Sequence, residues 1–231
     1  MTGVRARVRA ELTAEIKAIA RRQMAEEGPA NLNLRAIARE LGMVSSAIYR
    51  YFASRDDLLT ALIVDAYNAL GEVGEAADAA VDPHEVRARF LAVANAAYRW
   101  ACEQPSQYLL LFGTPVPGYA APQDTIAPAT RFTIVLLGIL DEAARQGAVP
   151  AVRPTVPPTV SVDFRRLREL TGTGGDDELM LAGMQAWTAL FGAIGFILNG
   201  QFRNVIGDVD AMFAEFAQLL AGQVFHEVDP A

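Results

Sequence analysis

The sequence predicts an all-α fold in two parts: a small N-terminal helix-turn-helix domain over residues 1–60, and a larger helical domain over residues 61–231. Three observations support this prediction. Apolar residues recur at spacings of three and four in most of the periodic segments. Glycine and proline residues separate these segments. No alternation of apolar and polar residues lasts long enough to indicate a sheet.

Two helices are predicted before residue 42. The first runs from about residue 11 to residue 27, with Gly28 as a left-handed stop and a proline after it that prevents continuation. The second begins at Asn33, a good N-cap residue, and ends at Gly42. A third helix begins near Ser45. Because the chain stops at a glycine and restarts about three residues later, it must turn sharply, as in a helix-turn-helix.

The third helix is short, and little of the charge expected on a solvated helix lies on it. Ile48 and Phe52 are core anchors four residues apart, with Val44 one turn before them. The open face carries small residues first, then aromatic and basic ones: Ser45, Ser46, Ala47, Tyr49 and Arg50, with Tyr51 at its edge. Small residues let a helix approach the floor of a groove, and tyrosine and arginine can bond phosphate oxygens. A short core helix with incidental polar residues is the alternative.

A fourth helix is predicted after the sequence "SRDD", with Ser54 as N-cap and Asp57 at the third helical position. Arg55 occupies the first position, where the helix dipole favours an acid and where a base often meets an external anion. Residues 1–60 contain ten Lys and Arg against seven Asp and Glu, whereas residues 61–231 contain ten against twenty. A basic head on an acidic body indicates a polyanionic partner, although a mixed solvated surface gives the same count.

The stretch "NLRAIARELGMVSSAIYRYFASRDDLL" resembles the DNA-binding head of the tetracycline-repressor (TetR) family of bacterial one-component regulators, over about residues 12–62. The resemblance implies that Arg35, Ser45, Ser46 and Ala47 face bases and that Tyr49, Tyr51 and Arg55 bind phosphates, with Arg50 as a further candidate. Two positions depart from the family pattern. Val44 replaces a serine that caps the recognition helix in many members, which leaves Ser45 as the alternative cap. Arg55 replaces the usual lysine, a change that should preserve phosphate binding.

The resemblance also implies function. It predicts a cytoplasmic transcriptional regulator, expected to be a repressor, that binds a palindromic double-stranded DNA operator as a homodimer and is released by a small-molecule effector. The stretch "AWTALFGAIGFILNG" resembles a C-terminal subgroup with a Trp-His-Gly motif. Trp187 and Gly192 fit that motif, but Phe191 replaces the histidine, so a polar ligand contact of the subgroup is expected to be missing.

The larger domain is predicted as a series of helices. Two of them, over residues 85–103 and 105–112, are split at Pro105, and a third spans about 124–146. The proline-rich residues 147–160 cannot form a helix interior and are predicted as an extended loop. A short helix "DFRRLREL" and a flexible "TGTGGDD" follow. Two long helices close the chain, at about 176–202 and 208–227.

Residues 179–202 contain no charged side chain in 24 positions, which is long enough for a membrane span. Four glycines, several polar residues and the lack of a basic cluster at either end argue against a span. A helix that is apolar all round is also expected where one face meets its own core and another meets a partner subunit. We therefore predict no membrane association and a homodimer formed by the last two helices.

The larger domain is rich in aromatic residues and methionine, which indicates an apolar cavity for a hydrophobic small molecule. Asn95 or Gln185 could supply an orienting hydrogen bond. The predicted lining is Asn95, Tyr98, Tyr108, Phe112, Phe132, Met184, Gln185, Trp187 and Phe191. Ordinary core packing is the alternative for most of these residues.

Catalysis and metal binding are not expected, and neither is a cofactor. His84 and His226 are the only histidines and lie far apart, Cys102 is the only cysteine, and "TGTGGD" matches no phosphate-loop spacing. The protein is therefore not expected to be an enzyme. The alternative to a DNA-binding regulator is a helical small-molecule-binding or membrane-associated protein without operator binding.

Overall fold

A computed structural model describes residues 2–173 and 175–226. Within these ranges the fold is all-α, as predicted, and the only β pairing is a single antiparallel bridge between Val149 and His226. Short 3₁₀ turns lie between some of the helices. The α-helices are α1 Thr2–Glu27, α2 Leu34–Glu40, α3 Arg55–Ala79, α4 Val86–Glu103, α5 Pro105–Phe112, α6 Ile126–Arg145, α7 Pro158–Thr171, α8 Asp177–Leu198 and α9 Val209–Val224.

The chain forms two compact units. Unit 1 consists of the residues up to Asn68 together with Gln104–Pro128, and unit 2 consists of Ala69–Glu103 and the described residues from Ala129 onward. The sequence-based division at residue 60 therefore falls inside α3, and α5 groups with the N-terminal helices. The reason is apolar packing, because Leu110 and Leu111 of α5 lie against the buried core of unit 1.

The core of unit 1 is built by the anchors that the sequence indicated. Ile16, Ile37 and Ile48 are completely buried, and Phe52 is buried beside them. Val44 differs, since its side chain is 71% exposed. Its carbonyl accepts the first bond of the next segment, from the amide of Ala47, but its side chain is not part of the buried stripe.

Two elements of unit 1 differ from their predicted form. Helix α1 begins at Thr2, nine residues before the expected start, although residues 3–11 are all exposed. The alanine and arginine in this extension are strong helix formers, so propensity rather than burial explains it. Gly28 has the expected positive φ of 79°, but its ψ of 159° is extended instead of left-handed helical.

The predicted third helix is only a short helical segment. Its 3₁₀ core is Ile48–Arg50, and the amides of Ala47, Arg50 and Tyr51 bond to carbonyls three residues earlier. We call residues 45–52 the recognition segment. No side chain caps its 3₁₀ turn, and a segment this short closes i→i+3 bonds more readily than several full α-turns.

Unit 2 packs α4 against α8 and α9 around a core that includes Val93, Ile139, Leu179, Ile194 and Phe213, all almost completely buried. The helix boundaries follow the sequence prediction closely, with two changes. Helix α8 ends at Leu198, about four residues before the predicted end, because Gly200 takes a positive φ of 70° and terminates the helix. Pro158 starts α7 instead of ending the extended loop, because proline is tolerated in the first helical turn, where no intrahelical N–H bond is needed.

Helix α8 stands out by its exposure. Of the helices in the described ranges, it alone is long and apolar enough to cross a membrane, and 17% of its apolar window is buried inside the chain. A helix of this kind needs another apolar surface on its open side.

Candidate nucleic-acid interface

Helix α2 is held by the cap that the sequence predicted. The side-chain oxygen of Asn33 accepts hydrogen bonds from the backbone N–H groups of Arg35 at 3.0 Å and Ala36 at 3.3 Å. Leu34, Ile37 and Ala38 are buried. Burial of this face turns Arg35 outward, where its side chain is exposed.

Gly42 makes the turn after α2. Its φ is +66°, a conformation that residues with a Cβ rarely adopt. The amide of Gly42 donates to the carbonyl of Arg39 at 3.1 Å, and the amide of Met43 donates to the carbonyl of Ala38 at 2.8 Å. This pair of bonds is a Schellman motif, so the chain leaves α2 in a fixed direction and enters the recognition segment.

The recognition segment presents most of its predicted DNA-facing residues to solvent. Its exposed side chains are Ser45, Ser46, Tyr49 and Arg50, and its half-buried ones are Ala47 and Tyr51. Tyr49 is 43% exposed, whereas Ile48 is fully buried. Burial of Ile48 and Phe52 therefore fixes which side of the segment is open.

Arg55 has more internal partners than the sequence indicated. One terminal nitrogen of its guanidinium donates to the carbonyls of Pro29 at 3.0 Å and Ala30 at 3.1 Å, and the other lies 3.4 Å from Asp56. Ser54 caps α3 as predicted, accepting from the amide of Asp57 at 3.0 Å. Arg55 thus ties the start of α3 to the turn before α2, and its role as a phosphate ligand stays a prediction.

Three of the predicted residues come together around one concavity. Arg35, Tyr49 and Arg55 line an open depression of about 400 Å³, together with Asn31 and Asn33. Arginine, tyrosine and asparagine side chains are among the groups that donate hydrogen bonds to the phosphates of DNA. The depression can therefore accept a polyanion.

Arg9 of α1 is a residue that sequence reasoning missed. Its guanidinium donates to the backbone carbonyl of Arg50 at 2.9 Å and lies 5.2 Å from the centre of the Tyr51 ring, as in a cation–π contact. This contact joins residues 41 positions apart, so no local pattern could have revealed it. Arg9 holds the C-terminal end of the recognition segment.

Arg39 was also missed, although a local signal exists. It follows Arg35 by four residues on α2, so both lie on one helix face, and it is exposed. Among the residues described, neither Arg35 nor Arg39 nor Arg50 forms an ion pair, whereas Arg22 is paired with Glu40. Arg35 and Arg39 therefore present two guanidinium groups on one face of α2 that no carboxylate of the described chain neutralises.

A separate aromatic cluster lies in unit 2. Phe132, Trp187 and Phe191 make edge-on contacts, with ring centres 5.6 and 5.8 Å apart, and border a small apolar cavity between α4, α6 and α8 of about 10 Å³. That volume is about the size of one water molecule. The indole N–H of Trp187 is buried and has no hydrogen-bond partner among the described residues.

The other predicted ligand residues do not join this cluster. Asn95 donates to the carbonyl of Leu91 in its own helix. Tyr98 donates to Asp210 and stacks on Phe213 at 4.1 Å; burial, and then the bond to Asp210, raise the pKa of its hydroxyl. Met184 and Gln185 are exposed.

Tyr108 and Phe112 belong to unit 1, so they lie in the other compact unit from the cluster. Their rings are 5.1 Å apart, and Tyr67 makes an edge contact with Phe112. Burial raises the pKa of Tyr67. These two predicted ligand residues therefore pack within unit 1.

No group of three or more His, Cys, Asp or Glu side chains suited to a metal occurs among the residues searched, which are those the structure describes. His84 instead bonds through Nδ1 to Glu142 at 2.7 Å.

The capped α2, the glycine turn and the exposed recognition segment together define a helix-turn-helix protein that binds DNA. Comparison with known proteins agrees. Residues 16–62 match the family described as bacterial regulatory proteins, tetR family, and residues 90–220 match a tetracyclin repressor-like C-terminal domain. The chain belongs to the TetR family of transcriptional regulators.

Individual relatives support the same assignment. The HTH-type transcriptional regulators Rv1816 of Mycobacterium tuberculosis and Mb1846 of Mycobacterium bovis are each 37% identical over 220 residues, which cover 94% of this chain and 94% of each relative. The solved structure of SCO4313, described as a regulatory protein, has a TM-score of 0.77 and 32% identity over 94% of this chain and 98% of its own. The TetR family regulator PfmR of Thermus thermophilus shares the fold, with a TM-score of 0.59 and 20% identity over 92% and 99% of the two chains.

Proposed function

We propose that this regulator is a cytoplasmic repressor that binds a palindromic operator as a homodimer and releases it when a hydrophobic small molecule binds unit 2. The observation that carries the DNA part is the common depression lined by Arg35, Tyr49 and Arg55. Arg35 contacts base edges from α2. The small residues Ser45, Ser46 and Ala47 approach the groove floor, and Tyr49 and Tyr51 bind the flanking phosphates.

A homodimer is part of the proposal because one recognition segment contacts too few bases. Two heads about 34–36 Å apart read two half-sites one DNA turn apart. Exposed apolar side chains on α8 and α9 support a dimer surface there: Met184, Phe196, Phe216 and Leu219 are 36–64% exposed. Contiguous exposed apolar surface of this kind commonly marks a protein–protein interface.

Selection from random duplex DNA tests the operator part directly. The purified full-length protein should enrich a palindrome whose half-site centres are about 10 base pairs apart. Arg35→Ala should then weaken binding and relax the preference at one base pair of each half-site, by about 1–3 kcal/mol. Arg99→Ala removes the same charge from an exposed site in unit 2 and should leave the sequence preference unchanged. Enrichment of no sequence, or of an unrepeated one, would overturn this part.

The effector part depends on Trp187. Its buried indole N–H costs about 1–3 kcal/mol as long as it has no acceptor, and the surrounding walls are apolar. An effector that opens the cluster, fills it with an apolar body and places one acceptor against this N–H removes that cost. Release of DNA follows if the effector prefers the released state. With Phe191 at the position of the subgroup's histidine, the indole is the polar group in the lining.

A matched pair of probes tests the effector part. Acetophenone has a carbonyl acceptor, and isopropylbenzene has nearly the same shape without one. In a Trp100→Phe background, Trp187 is the only tryptophan, so its fluorescence reports binding. We expect acetophenone to bind and isopropylbenzene to bind at least about fivefold more weakly, since an unpaired donor costs about 1–3 kcal/mol. Equal affinity, or no fluorescence change with either probe, would refute this role for Trp187.

A further inference from the structure

The first three turns of α1 serve no purpose in the core of unit 1. Residues 3–11 are all exposed, and the first completely buried side chain of the helix is Ile16. Ordering these residues costs backbone entropy, and no apolar burial offsets it. Helix propensity accounts for their order, but nothing in the core of unit 1 requires their basic composition.

The charge of this extension specifies the partner. Residues 3–10 include three arginines and no acid, and the first helical turn has no acidic residue. Helix N-termini normally favour acids because of the helix dipole. A basic N-terminal turn without acids is complementary to phosphate.

Arg9 defines which face of the extension is directed to that partner. Its guanidinium reaches the carbonyl of Arg50 and the ring of Tyr51, so this face of α1 lies beside the end of the recognition segment. Arg5 precedes Arg9 by four residues and therefore lies on the same face, one turn of about 5.4 Å further from the core. In the described part of the chain Arg5 has no ion-pair partner.

We infer that Arg5 binds a backbone phosphate of the duplex, outside the base pairs contacted by the recognition segment. The N-terminal turns of α1 thus form a second DNA contact in each protomer and lengthen the protected site at both ends. This inference rests on the proposed operator binding, and it assigns a role to a region outside the helix-turn-helix.

Arg7 provides a matched control. It is two residues from Arg5, which on an α-helix is about 200° around the axis, and it pairs with Glu11 at 3.6 Å. Arg5→Ala and Arg7→Ala therefore remove the same charge from the same exposed helix, two residues apart, on opposite faces. A long-range electrostatic effect would be equal in the two variants, whereas a phosphate contact is lost only in the first.

The experiment measures operator affinity of the full-length wild type and both variants between 50 and 200 mM salt. Loss of one phosphate contact per protomer lowers the slope of log K against log salt by about 1.8 for a dimer. The wild-type advantage over Arg5→Ala should therefore shrink about 12-fold across this range, and hydroxyl-radical protection should be lost only at the two outer edges of the site. Arg7→Ala should retain the wild-type slope and footprint.

Each result has one meaning. Equal slopes for the two variants, whether both unchanged or both reduced, would overturn the role of Arg5 and leave operator binding intact. Failure of the wild type to bind any selected duplex would refute the proposed function itself. Circular dichroism of both variants shows whether α1 remains helical, and an Arg5→Lys variant, which keeps the charge, should restore most of the slope.

Discussion

Gly42 is where the helix-turn-helix depends most directly on backbone conformation. Gly42→Ala places a Cβ at φ +66°, and that Cβ would meet no atom within 4 Å. The cost is therefore conformational, with no steric clash, and amounts to about 1–2 kcal/mol. Gly42→Asn should cost less, because asparagine tolerates this region better than alanine does.

Gly138 offers a control in which the same substitution has the opposite sign. It lies inside α6, and a Cβ there would also meet no atom within 4 Å. Since the backbone is already helical, Gly138→Ala should stabilise the protein by about 0.5–1 kcal/mol. The two variants add the same methyl group, so any difference between them reports backbone conformation.

Differential scanning calorimetry at one protomer concentration measures both effects. For a chain of this size 1 kcal/mol corresponds to about 2–4 °C, so Gly42→Ala should lower Tm by about 2–8 °C and Gly138→Ala should raise it by about 1–4 °C. Operator affinity should fall only in Gly42→Ala. If Gly42→Ala left Tm unchanged or raised it, the left-handed turn and the direction it gives to the recognition segment would be refuted.

Three further predictions concern the cap, the dimer and an acid-sensitive contact. Asn33→Ala should destabilise unit 1 by about 1 kcal/mol through loss of the α2 cap, whereas Asn33→Asp should keep a stability near that of the wild type. Urea unfolding of both variants measures the difference. Leu219→Arg should raise the dimer dissociation constant at least about a hundredfold, because twofold symmetry buries two unpaired charges. Val152→Arg, at an 80% exposed site, should leave the dissociation constant unchanged. Analytical sedimentation of the two variants measures the difference. Hydrogen bonds from Gln146 and then His84 lower the pKa of Glu142. The ionised carboxylate therefore stabilises the folded protein at pH values above its ordinary pKa of 4.5, and this stabilisation is lost as the pH falls through the lowered pKa. Glu142→Gln should make Tm depend less on pH in this acidic range. A profile of Tm against pH equal to that of the wild type would contradict this role of Glu142.

Local signals account for what the sequence predicted well in unit 1. The Asn33 and Ser54 caps each depend on a side chain and a backbone group within three residues, and the Gly42 stop depends on the backbone freedom of a glycine; each is found where expected. The helix boundaries of the larger domain were also predictable, because prolines and glycines mark most of them.

Features that depend on distant residues were not predictable. The partners of Arg55 are carbonyls 25 and 26 residues away, and nothing near Arg55 in the sequence indicates them. The predicted ligand residues are divided between the two compact units for the same reason. Aromatic content shows that side chains are large and apolar, but not which compact unit holds them, and Tyr108 and Phe112 pack in unit 1 because α5 does.

The free positive charge of the first 60 residues comes from a different balance than their net count indicates. Half of the ten basic residues in the first 60 are used internally: Arg7, Lys17, Arg21, Arg22 and Arg55 each pair with a carboxylate. The other five have no ion pair among the described residues: Arg5, Arg9, Arg35, Arg39 and Arg50. Lys17 and Arg21 share Asp65, which lies beyond the 60 residues counted, so a net charge of a segment says little about its surface. What concentrates positive charge here is that the unpaired arginines lie on α2, on the recognition segment and on the adjoining face of α1, while Glu11 of α1 and Glu40 of α2 are paired with Arg7 and Arg22.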